Sequence, residues 1–387
     1  MKTKYDVIVL GVGTMGAAAC YYLSKQGVSV LGIEQFEIPH DQGSHAGQSR
    51  IVRKAYFEHP DYVPLLHQAY HNWQALEKET DVQLYYQTGL YYAGASQNEL
   101  IKGTKLAAQL HHIPLIDILH HPEQKHSTFQ VPHYYEQWLE PEAGFLIPER
   151  ALSLFAEQAI QQGATLLTRQ RVKEWKKVGD EIHVFTDKEK YVGKKLIICG
   201  GAWNGQLIPN LSSHLKVTRQ VIVWLQPKRW QDFTLGNFPC WLIADENMPG
   251  SIYGFPIVPA SKLGGPLGLK VAYHHPGLPS NPDHVNRLDT ETEVNQLLTT
   301  VQKYLPSAIG NVLSVKTCLY TYSPDEHFII DQLPEYNNQV TVAAGFSGHG
   351  FKFASVVGEV LSELSLEGRT KQPIDFLRMN RFKKNNS

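Results

Sequence analysis

The chain has 387 residues, of which 42% are hydrophobic and 19% are charged. This length exceeds what one hydrophobic core usually organises, so two domains are expected, and the composition excludes a disordered or fibrous protein. The 36 basic and 37 acidic residues leave a net charge of −1, so no overall field attracts nucleic acid or an anionic membrane.

Neither a membrane span nor a secretion signal is predicted. The longest apolar runs, such as 7–10 (VIVL), are far shorter than the ~20 residues that cross a bilayer, and Asp6 and Gly11 interrupt the apolar core that a signal peptide needs. Four cysteines are widely separated and lack the spacing of metal ligands: Cys20, Cys199, Cys240 and Cys318. Such a set is typical of reduced cysteines, so we expect a soluble, cytoplasmic protein of enzyme size.

The first predicted elements are a strand, a glycine-rich turn, a helix and a second strand. The strand at 5–10 (YDVIVL) leads directly into 11–16 (GVGTMG) and a helical stretch at 17–25, and the second strand at 28–33 ends at Glu34. In such a unit the first glycine permits a tight turn, the second lets a pyrophosphate approach the backbone, and the third lets helix and strand pack closely. The phosphates then bind the free amides of the helix N-terminus.

This complete unit, rather than the glycine motif alone, predicts a dinucleotide site. The alternative is a strand–turn–helix with a structural role only. A carboxylate at position 34 is placed to accept hydrogen bonds from a ribose diol and would repel a 2′-phosphate, so FAD or NAD is favoured over NADP. The residues assigned to the cofactor here are Gly11, Gly13, Thr14, Met15, Gly16 and Glu34.

Later segments extend the same sheet. A helix is predicted at 149–162, and 191–212 again places a strand before glycines. Near the C-terminus a strand at 340–345 leads into the glycine-rich segment 346–352 (FSGHGFK) and an apolar helix at 354–364. The intervening segments have alternating strands with many aromatic residues, the pattern of an antiparallel sheet.

We therefore expect an α/β protein (α+β overall), with a Rossmann-like nucleotide-binding domain and an inserted, mostly antiparallel β-sheet substrate domain. The predicted division is a discontinuous nucleotide domain at 1–85, 146–215 and 319–375, a substrate domain at 86–145 and 216–318, and a C-terminal tail at 376–387. The polar end of this tail, from Arg381 onward, is expected to fray.

Two arginines follow the second strand, within 43–53 (GSHAGQSRIVR). Arg50 and Arg53 are three residues apart, which would place them on one face of a helix. Their spacing leaves two interpretations equally open. Either they form a solvated basic face, or one contacts the cofactor and the other binds a substrate carboxylate through a bidentate guanidinium.

Three further groups have no functional interpretation when each is taken alone. In the strand 268–274 (GLKVAYH), Lys270 and His274 share one face, and periodicity favours a surface lysine that extends along the strand to solvent. Cys318 is most simply a small buried hydrophobe. Glu326 and His327 lack a helical HExxH context, so no metal site is predicted.

Taken together, these segments resemble the monomeric sarcosine oxidase family, which includes N-methyltryptophan oxidases and lies among the glutathione-reductase-like FAD proteins. The matching segments occur in family order from residue 5 to about 365: 11–16, 43–45, 50–53, 200–204, 253–256, 268–270, 273–274, 318–320, 325–331 and 344–352. The resemblance implies a Rossmann-like FAD-binding domain with FAD attached through its 8α-methyl group to Cys318 (8α-S-cysteinyl).

The resemblance also implies an activity. A secondary N-methyl amino acid is oxidised to an imine by transfer of a hydride equivalent to the flavin. The imine is hydrolysed to formaldehyde and the demethylated amino acid, and dioxygen reoxidises the flavin to give hydrogen peroxide. The implied partners are therefore a small N-methyl amino acid and dioxygen, acting on a cytoplasmic monomer without nucleic acid or membrane.

The family pattern assigns roles to particular residues. Arg53 and Lys352 bind the substrate carboxylate, and Lys270 activates dioxygen. The residues that shape the pocket over the flavin are Tyr253, His274 and Tyr320, and those that tune the flavin from its opposite face are His45 and Arg50. Further cofactor contacts are implied at Ser44, Val172, Gly201, Trp203, Gly345, Phe346, Gly348, His349, Gly350, Phe351 and Lys352.

Several alternatives stay open. Sarcosine needs a small cavity and N-methyl-L-tryptophan a large aromatic one, and the C-terminal segments favour the sarcosine-like type. An NAD-dependent dehydrogenase is opposed by Cys318 and by the second glycine-rich segment. A non-catalytic flavin-binding protein is opposed by the combination of Arg53, Lys270, Cys318 and Lys352, because a binding module has no use for an oxygen-facing lysine.

Overall fold

The computed structural model describes residues 3–288 and 290–382. Its α-helices are α1 (Thr14–Lys25), α2 (Val63–Thr80), α3 (Glu99–His111), α4 (Pro148–Gln161), α5 (Asn204–Leu207), α6 (Ala260–Leu263), α7 (Glu291–Tyr304) and α8 (Ala354–Glu367). Its strands are β1 (Lys4–Leu10), β2 (Val30–Ile33), β3 (Arg50–Val52), β4 (Tyr85–Gln87), β5 (Leu90–Ala95), β6 (Ile116–Asp117), β7 (Tyr135–Glu140), β8 (Gly144–Leu146), β9 (Thr165–Leu167), β10 (Val172–Val178), β11 (Glu181–Thr186), β12 (Lys190–Ile198), β13 (Lys216–Gln226), β14 (Cys240–Ile243), β15 (Ser251–Phe255), β16 (Leu269–His274), β17 (Leu278–Pro279), β18 (Asn311–Tyr322), β19 (Ile329–Gln332) and β20 (Val340–Ala344).

The first sheet is built around the N-terminal strand. β1 pairs in parallel with β2 and β12, and the parallel strands β9 and β20 extend the sheet beyond them. β10 and β11 add an antiparallel hairpin to β12, and β19 pairs antiparallel with β20. Helices α1 and α8 approach so closely that a Cβ at Gly358 would lie 2.5 Å from the Cβ of Ala18. The Rossmann-like sheet predicted from the N-terminal unit is thus confirmed.

The second sheet has nine strands, in the order β17-β13-β16-β15-β14-β5-β7-β6, with β18 also paired to β13. Among the described strands of this sheet, all pairs are antiparallel except β14 with β5. Helix α7 covers one face, where Leu297 and Val301 join a buried cluster with Leu225 and Val271. The predicted mostly antiparallel sheet is confirmed. The exact division into domains stays a prediction, and β18 runs unbroken through the boundary placed at 318/319.

A third, three-stranded sheet has the order β3-β8-β4. It corrects the helical interpretation of Arg50 and Arg53, because Arg50 opens the strand β3 and pairs with Leu146 of β8. A spacing of three residues places side chains on one face of a helix but on opposite faces of a strand. The segment is a strand rather than a helix because the distant strand β8 supplies its backbone hydrogen-bond partner.

The chain ends differ slightly from the prediction. Helix α1 begins at Thr14 rather than at residue 17, so Gly16 lies in its first turn. Residues Met379–Phe382 form a 3-10 turn in which Arg381 Nε lies 2.7 Å from Asp325 Oδ2. The prediction of a frayed end is therefore wrong for residues 381–382, where an ion pair holds the chain. Residues 383–387, for which fraying was also expected, lie outside the described residues. Among the described helices, none is both long and apolar enough to span a membrane.

Candidate active site

A cavity of about 480 Å³ lies where the carboxyl ends of β1, β2, β12 and β20 meet the antiparallel sheet. It brings together residues that are far apart in sequence. The predicted site residues that line it are Gly11, Gly13, Thr14, Met15, Glu34, Ser44, His45, Arg50, Arg53, Val172, Gly201, Trp203, Tyr253, His274, Tyr320, Gly345, Phe346, Gly348, His349, Gly350, Phe351 and Lys352. The predicted site residues that are not part of its lining are Gly16, Lys270 and Cys318.

One end of the cavity is formed by the N-terminus of α1. Gly13 caps this helix without a side-chain hydrogen bond, and the first turn contains no acidic residue. A Cβ at Gly13 would meet no atom within 4 Å, whereas a Cβ at Gly16 would lie 1.8 Å from the carbonyl oxygen of Gly11. The turn therefore leaves open space at Gly13 and requires glycine at 16. Free amides and a positive helix end suit a pyrophosphate.

Glu34 lies beside this turn at the end of β2. Its Oε2 accepts a hydrogen bond from the Val12 amide and its Oε1 one from the Phe36 amide, both at 2.9 Å. Burial raises the pKa of Glu34 above its ordinary value, although these amides act in the opposite direction. The two bonds fix the carboxylate at the cavity wall, where its remaining lone pairs can accept from a ribose diol.

The loop at 43–50 forms the next part of the wall. The guanidinium of Arg50 donates to the carbonyl oxygens of Ser44, Ala46 and Ser49 at 2.7–2.8 Å, which folds the loop around it. His45 lies in the cavity wall with its Nε2 buried and without a partner among the described residues. Burial lowers the pKa of His45 to about 3, so its imidazole is neutral. An unsatisfied polar atom at this place suits a bound polar group.

Lys270 is buried against the same loop. Its side chain is only 2% exposed, so the interpretation of a surface lysine is wrong. The Nζ donates to the carbonyl oxygens of Gly47 and Ser49 at 2.6 Å and lies 3.2 Å from Ser49 Oγ. Burial and repulsion from Arg50 lower the pKa of Lys270 well below its ordinary value. Strand periodicity could not reveal this, because the covering loop is more than 200 residues away in sequence.

Another part of the cavity wall contains three charged groups, Arg53, Glu58 and Lys352. Arg53 Nη2 bonds both carboxylate oxygens of Glu58, at 2.7 and 2.6 Å. Burial raises the pKa of Glu58, but Arg53 and, to a smaller extent, His349, Lys352 and His274 together outweigh burial, and the pKa falls to about 2. The sequence analysis missed Glu58. Its only signal was an acid five residues after an arginine, which is common on protein surfaces.

Lys352 is the second cation of this charged group. Its Nζ donates one hydrogen bond, to the carbonyl oxygen of His349 at 2.8 Å. Burial, and then the charge of Arg53, lowers the pKa of Lys352 to about 7. Burial also lowers the pKa of His274 to about 4, which leaves that imidazole neutral. Below about pH 7, where Lys352 is protonated, two cations and one carboxylate leave one positive charge, enough to bind a single anionic group.

Aromatic rings form a further part of the cavity wall. The ring centroid of His274 lies 6.4 Å from those of Tyr253 and Tyr320. A Cβ at Gly348 would lie 2.4 Å from the Tyr320 ring, so the second glycine-rich segment approaches this wall closely. Cys318 is buried two residues before Tyr320 on β18. Burial raises the pKa of its thiol, while Arg50 and Lys270 act to lower it. No metal-binding cluster of His, Cys, Asp or Glu occurs in the described chain.

Comparison with known proteins agrees with this arrangement. The family model described as "DAO: FAD dependent oxidoreductase" matches residues 6–364, so the chain belongs to the FAD-dependent oxidoreductases. Monomeric sarcosine oxidase from Bacillus sp. (strain NS-129) is 39% identical over 390 residues, which cover 98% of both chains. The protein is a member of the monomeric sarcosine oxidase family, and the resemblance deduced from its motifs is confirmed.

Two further proteins show the breadth of the likeness. N-methyl-L-tryptophan oxidase from Yersinia pestis (strain Pestoides F) is 32% identical over 389 residues, 98% of this chain and 100% of that protein. The open form of NikD, an unusual amino acid oxidase, superposes with a TM-score of 0.84 over 97% of this chain and 98% of its own, at 22% identity. At that identity the likeness concerns the fold alone.

The cavity residues fit the FAD that the family requires. The glycine turn of α1 offers open space and free amides for the pyrophosphate, and Glu34 offers an oriented carboxylate to a ribose. The orphaned Nε2 of His45 supplies a polar contact further along the same wall. FAD is the cofactor of this protein. The particular contacts to it stay predictions.

Proposed function

We propose that this protein demethylates a small secondary N-methyl amino acid, with sarcosine as the model substrate, using dioxygen as the electron acceptor. The products are the demethylated amino acid, formaldehyde and hydrogen peroxide. The observation that supports this most directly is the position of Arg53 and Lys352, which line the same cavity as the nucleotide turn. A carboxylate anchored there presents the rest of a small amino acid to the other lining residues, which include Tyr253, His274 and Tyr320.

The residues of the chain itself bind the substrate and orient it. FAD, when bound, supplies the redox chemistry by accepting a hydride equivalent and delivering electrons to dioxygen. Lys352 and Arg53 hold the carboxylate, and His274, Tyr253 and Tyr320 confine the amine. Neutral His274 has one ring nitrogen free to accept a hydrogen bond or a proton from the substrate amine, which an imidazolium could not do.

The preferred substrate is of the sarcosine type. The identity of 39% to monomeric sarcosine oxidase, against 32% to N-methyl-L-tryptophan oxidase, supports the smaller substrate. N-methyl-L-tryptophan is the second candidate. We further propose a cytoplasmic monomer, supported by the four buried free cysteines, which are typical of a reducing compartment, and by relatives whose names call them monomeric.

Anaerobic titration of the flavoprotein with a panel of N-methyl amino acids tests the function. Sarcosine and other small members should bleach the flavin absorbance, and admission of air should restore it with release of hydrogen peroxide. Bleaching by N-methyl-L-tryptophan alone would reverse the choice of substrate. If no N-methyl amino acid reduced the flavin, the proposed function would be wrong.

The flavin should remain attached to acid-precipitated protein through Cys318. A thiolate is the nucleophile such a bond requires, and the buried thiol has Arg50 and Lys270 as nearby cations that favour the thiolate. We expect Cys318→Ser to release all its flavin on denaturation, measured as absorbance of the supernatant. Cys199 lines the cavity although Cys318 does not, so Cys199→Ser is the matched control and should keep its flavin. The opposite pattern would move the attachment to Cys199.

Carboxylate affinity should weaken as the pH rises through about 7, the pKa of Lys352. The ammonium of Lys352 is present below this pKa and lost above it. Because burial has lowered the pKa from its ordinary value, the loss falls within the pH range in which binding can be measured. We expect the Kd of acetate, followed by the flavin absorbance change, to rise by about tenfold per pH unit above 7 until the bound form also titrates. Lys352→Met should flatten the profile. A constant Kd from pH 6 to 9 in the wild type would contradict this assignment.

A further inference from the structure

The loop at residues 53–58, called the clamp loop here, carries both Arg53 and Glu58 into the cavity. Several contacts hold it. Arg53 Nη1 donates to the carbonyl oxygen of Ala55 at 3.0 Å, and the hydroxyl of Tyr56 lies 2.5 Å from His349 Nδ1. These contacts leave the backbone amides of Lys54 and Ala55, the two that directly follow Arg53, to be bonded by another part of the fold.

That backbone is fixed by Glu140, the last residue of β7. Its Oε1 accepts from the Lys54 amide at 2.6 Å, and its Oε2 accepts from the Ala55 amide at 3.3 Å and from the Tyr92 hydroxyl at 2.7 Å. Glu140 is 0% exposed and is not part of the cavity lining. A carboxylate removed from water costs much free energy unless its oxygens are well bonded. These three donors offset part of that cost, although burial still raises the pKa of Glu140 above its ordinary value.

We propose that Glu140 is a positioning residue for the carboxylate clamp, which aims Arg53 by holding the two backbone amides that follow it. The antiparallel sheet thereby sets the position of the clamp, because β5 contributes Tyr92 and β7 contributes Glu140. The inference rests on the proposed function, since it assumes that Arg53 meets the substrate carboxylate. Displacement of a binding group by about 1 Å can cost a large factor in rate or affinity.

The variants separate reach from charge. Glu140→Asp keeps the negative charge but withdraws the carboxylate by one methylene, about 1.5 Å, so it cannot serve both amides and Tyr92. Glu140→Gln keeps the reach and removes the charge. Its carbonyl oxygen can still accept from Lys54. If the position of the side-chain oxygens is what matters, Glu140→Asp weakens carboxylate binding and Glu140→Gln largely preserves it.

Glu77 provides a matched control. Its Oε1 accepts from two consecutive amides, those of Leu84 and Tyr85, at 2.6 and 2.7 Å. It makes the same kind of contact on α2, at a place that does not line the cavity. Glu77→Asp therefore measures the general cost of shortening a carboxylate that holds a pair of backbone amides.

The probe is acetate, titrated into the flavoprotein and followed by the change in flavin absorbance, with thermal unfolding recorded for every variant. We expect the Kd of acetate to rise about tenfold in Glu140→Asp, and to stay within about threefold of wild type in Glu140→Gln and Glu77→Asp. The sarcosine KM should follow the acetate Kd. Glu140→Asp and Glu77→Asp should both lower the unfolding temperature, so stability alone does not distinguish them.

Three results would overturn the inference. They are a wild-type Kd in Glu140→Asp, a larger loss in Glu140→Gln than in Glu140→Asp, and an equal loss of acetate binding in Glu77→Asp. Should Glu140→Asp fail to fold, Tyr92→Phe frees the same carboxylate more gently and should raise the Kd about threefold, and an unchanged value there would overturn the inference. If wild-type protein were not reduced by sarcosine, the proposed function itself would fail, which is a separate result.

Discussion

Lys270→Met should slow reoxidation of the reduced flavin by dioxygen on the order of 10²–10³-fold, while anaerobic reduction by substrate stays within about tenfold of wild type. Electron transfer to dioxygen creates negative charge in a poorly hydrated site, where a fixed cation stabilises it strongly. The Nζ of Lys270 is held by Gly47 and Ser49, on the loop whose other residues line the cavity. Methionine keeps the stem length and removes the charge.

Stopped-flow traces of the two half-reactions separate the outcomes. Lys303→Met is a control, because it also removes a lysine charge, in this case one paired with Asp245, at a place that does not line the cavity. Both half-reactions of this variant should match those of the wild type. An equal loss in both half-reactions of Lys270→Met would mean that Lys270 only supports the loop. An undisturbed oxidative rate would place dioxygen activation elsewhere.

Lys352→Met should lower kcat/KM for sarcosine by about 10- to 150-fold. It removes one charge-assisted hydrogen bond to the carboxylate, worth roughly 1.5–3 kcal/mol, and each 1.4 kcal/mol changes the rate about tenfold. Steady-state kinetics and acetate titration measure the loss together. Unchanged acetate binding would remove Lys352 from the clamp.

Arg53→Ala should cost at least as much as Lys352→Met, because it also leaves the partly buried carboxylate of Glu58 without the guanidinium that bonds both its oxygens. The unpaired carboxylate then repels the substrate anion. The double variant Arg53→Ala/Glu58→Gln should therefore recover part of the loss in kcat/KM, by about tenfold. If the second substitution recovered nothing, the loss at Arg53 would come from the missing guanidinium alone.

Local sequence was sufficient for the nucleotide-binding half of the site. The strand, the glycine turn and the helix at the N-terminus lie within about thirty residues, and each glycine has a steric reason that belongs to the turn itself. Gly16 shows this most clearly, because a Cβ there would lie 1.8 Å from the carbonyl oxygen of Gly11, only five residues away. Contacts between near neighbours in sequence are the ones that a local pattern can encode.

The family motifs carried the prediction further, to residues that no local pattern could place. Arg53, Lys352 and Tyr320 come from three distant segments, yet all line one cavity. Position in that cavity follows from a shared fold, which the order of the motifs identified. It does not follow from the spacing of any one motif.

The sequence by itself determined the Rossmann-like unit, the family and hence the FAD, because these depend on local steric rules and on an ordered set of motifs. Only the tertiary structure decided that Arg50 begins a strand, that Lys270 is buried beneath the 47–49 loop, and that Arg53 is paired with Glu58 and held in place by Glu140. Each of these depends on a backbone partner, a covering segment or a counter-charge brought in by the fold. Burial and pairing of this kind are properties of the packed chain, so periodicity along one strand or helix cannot report them.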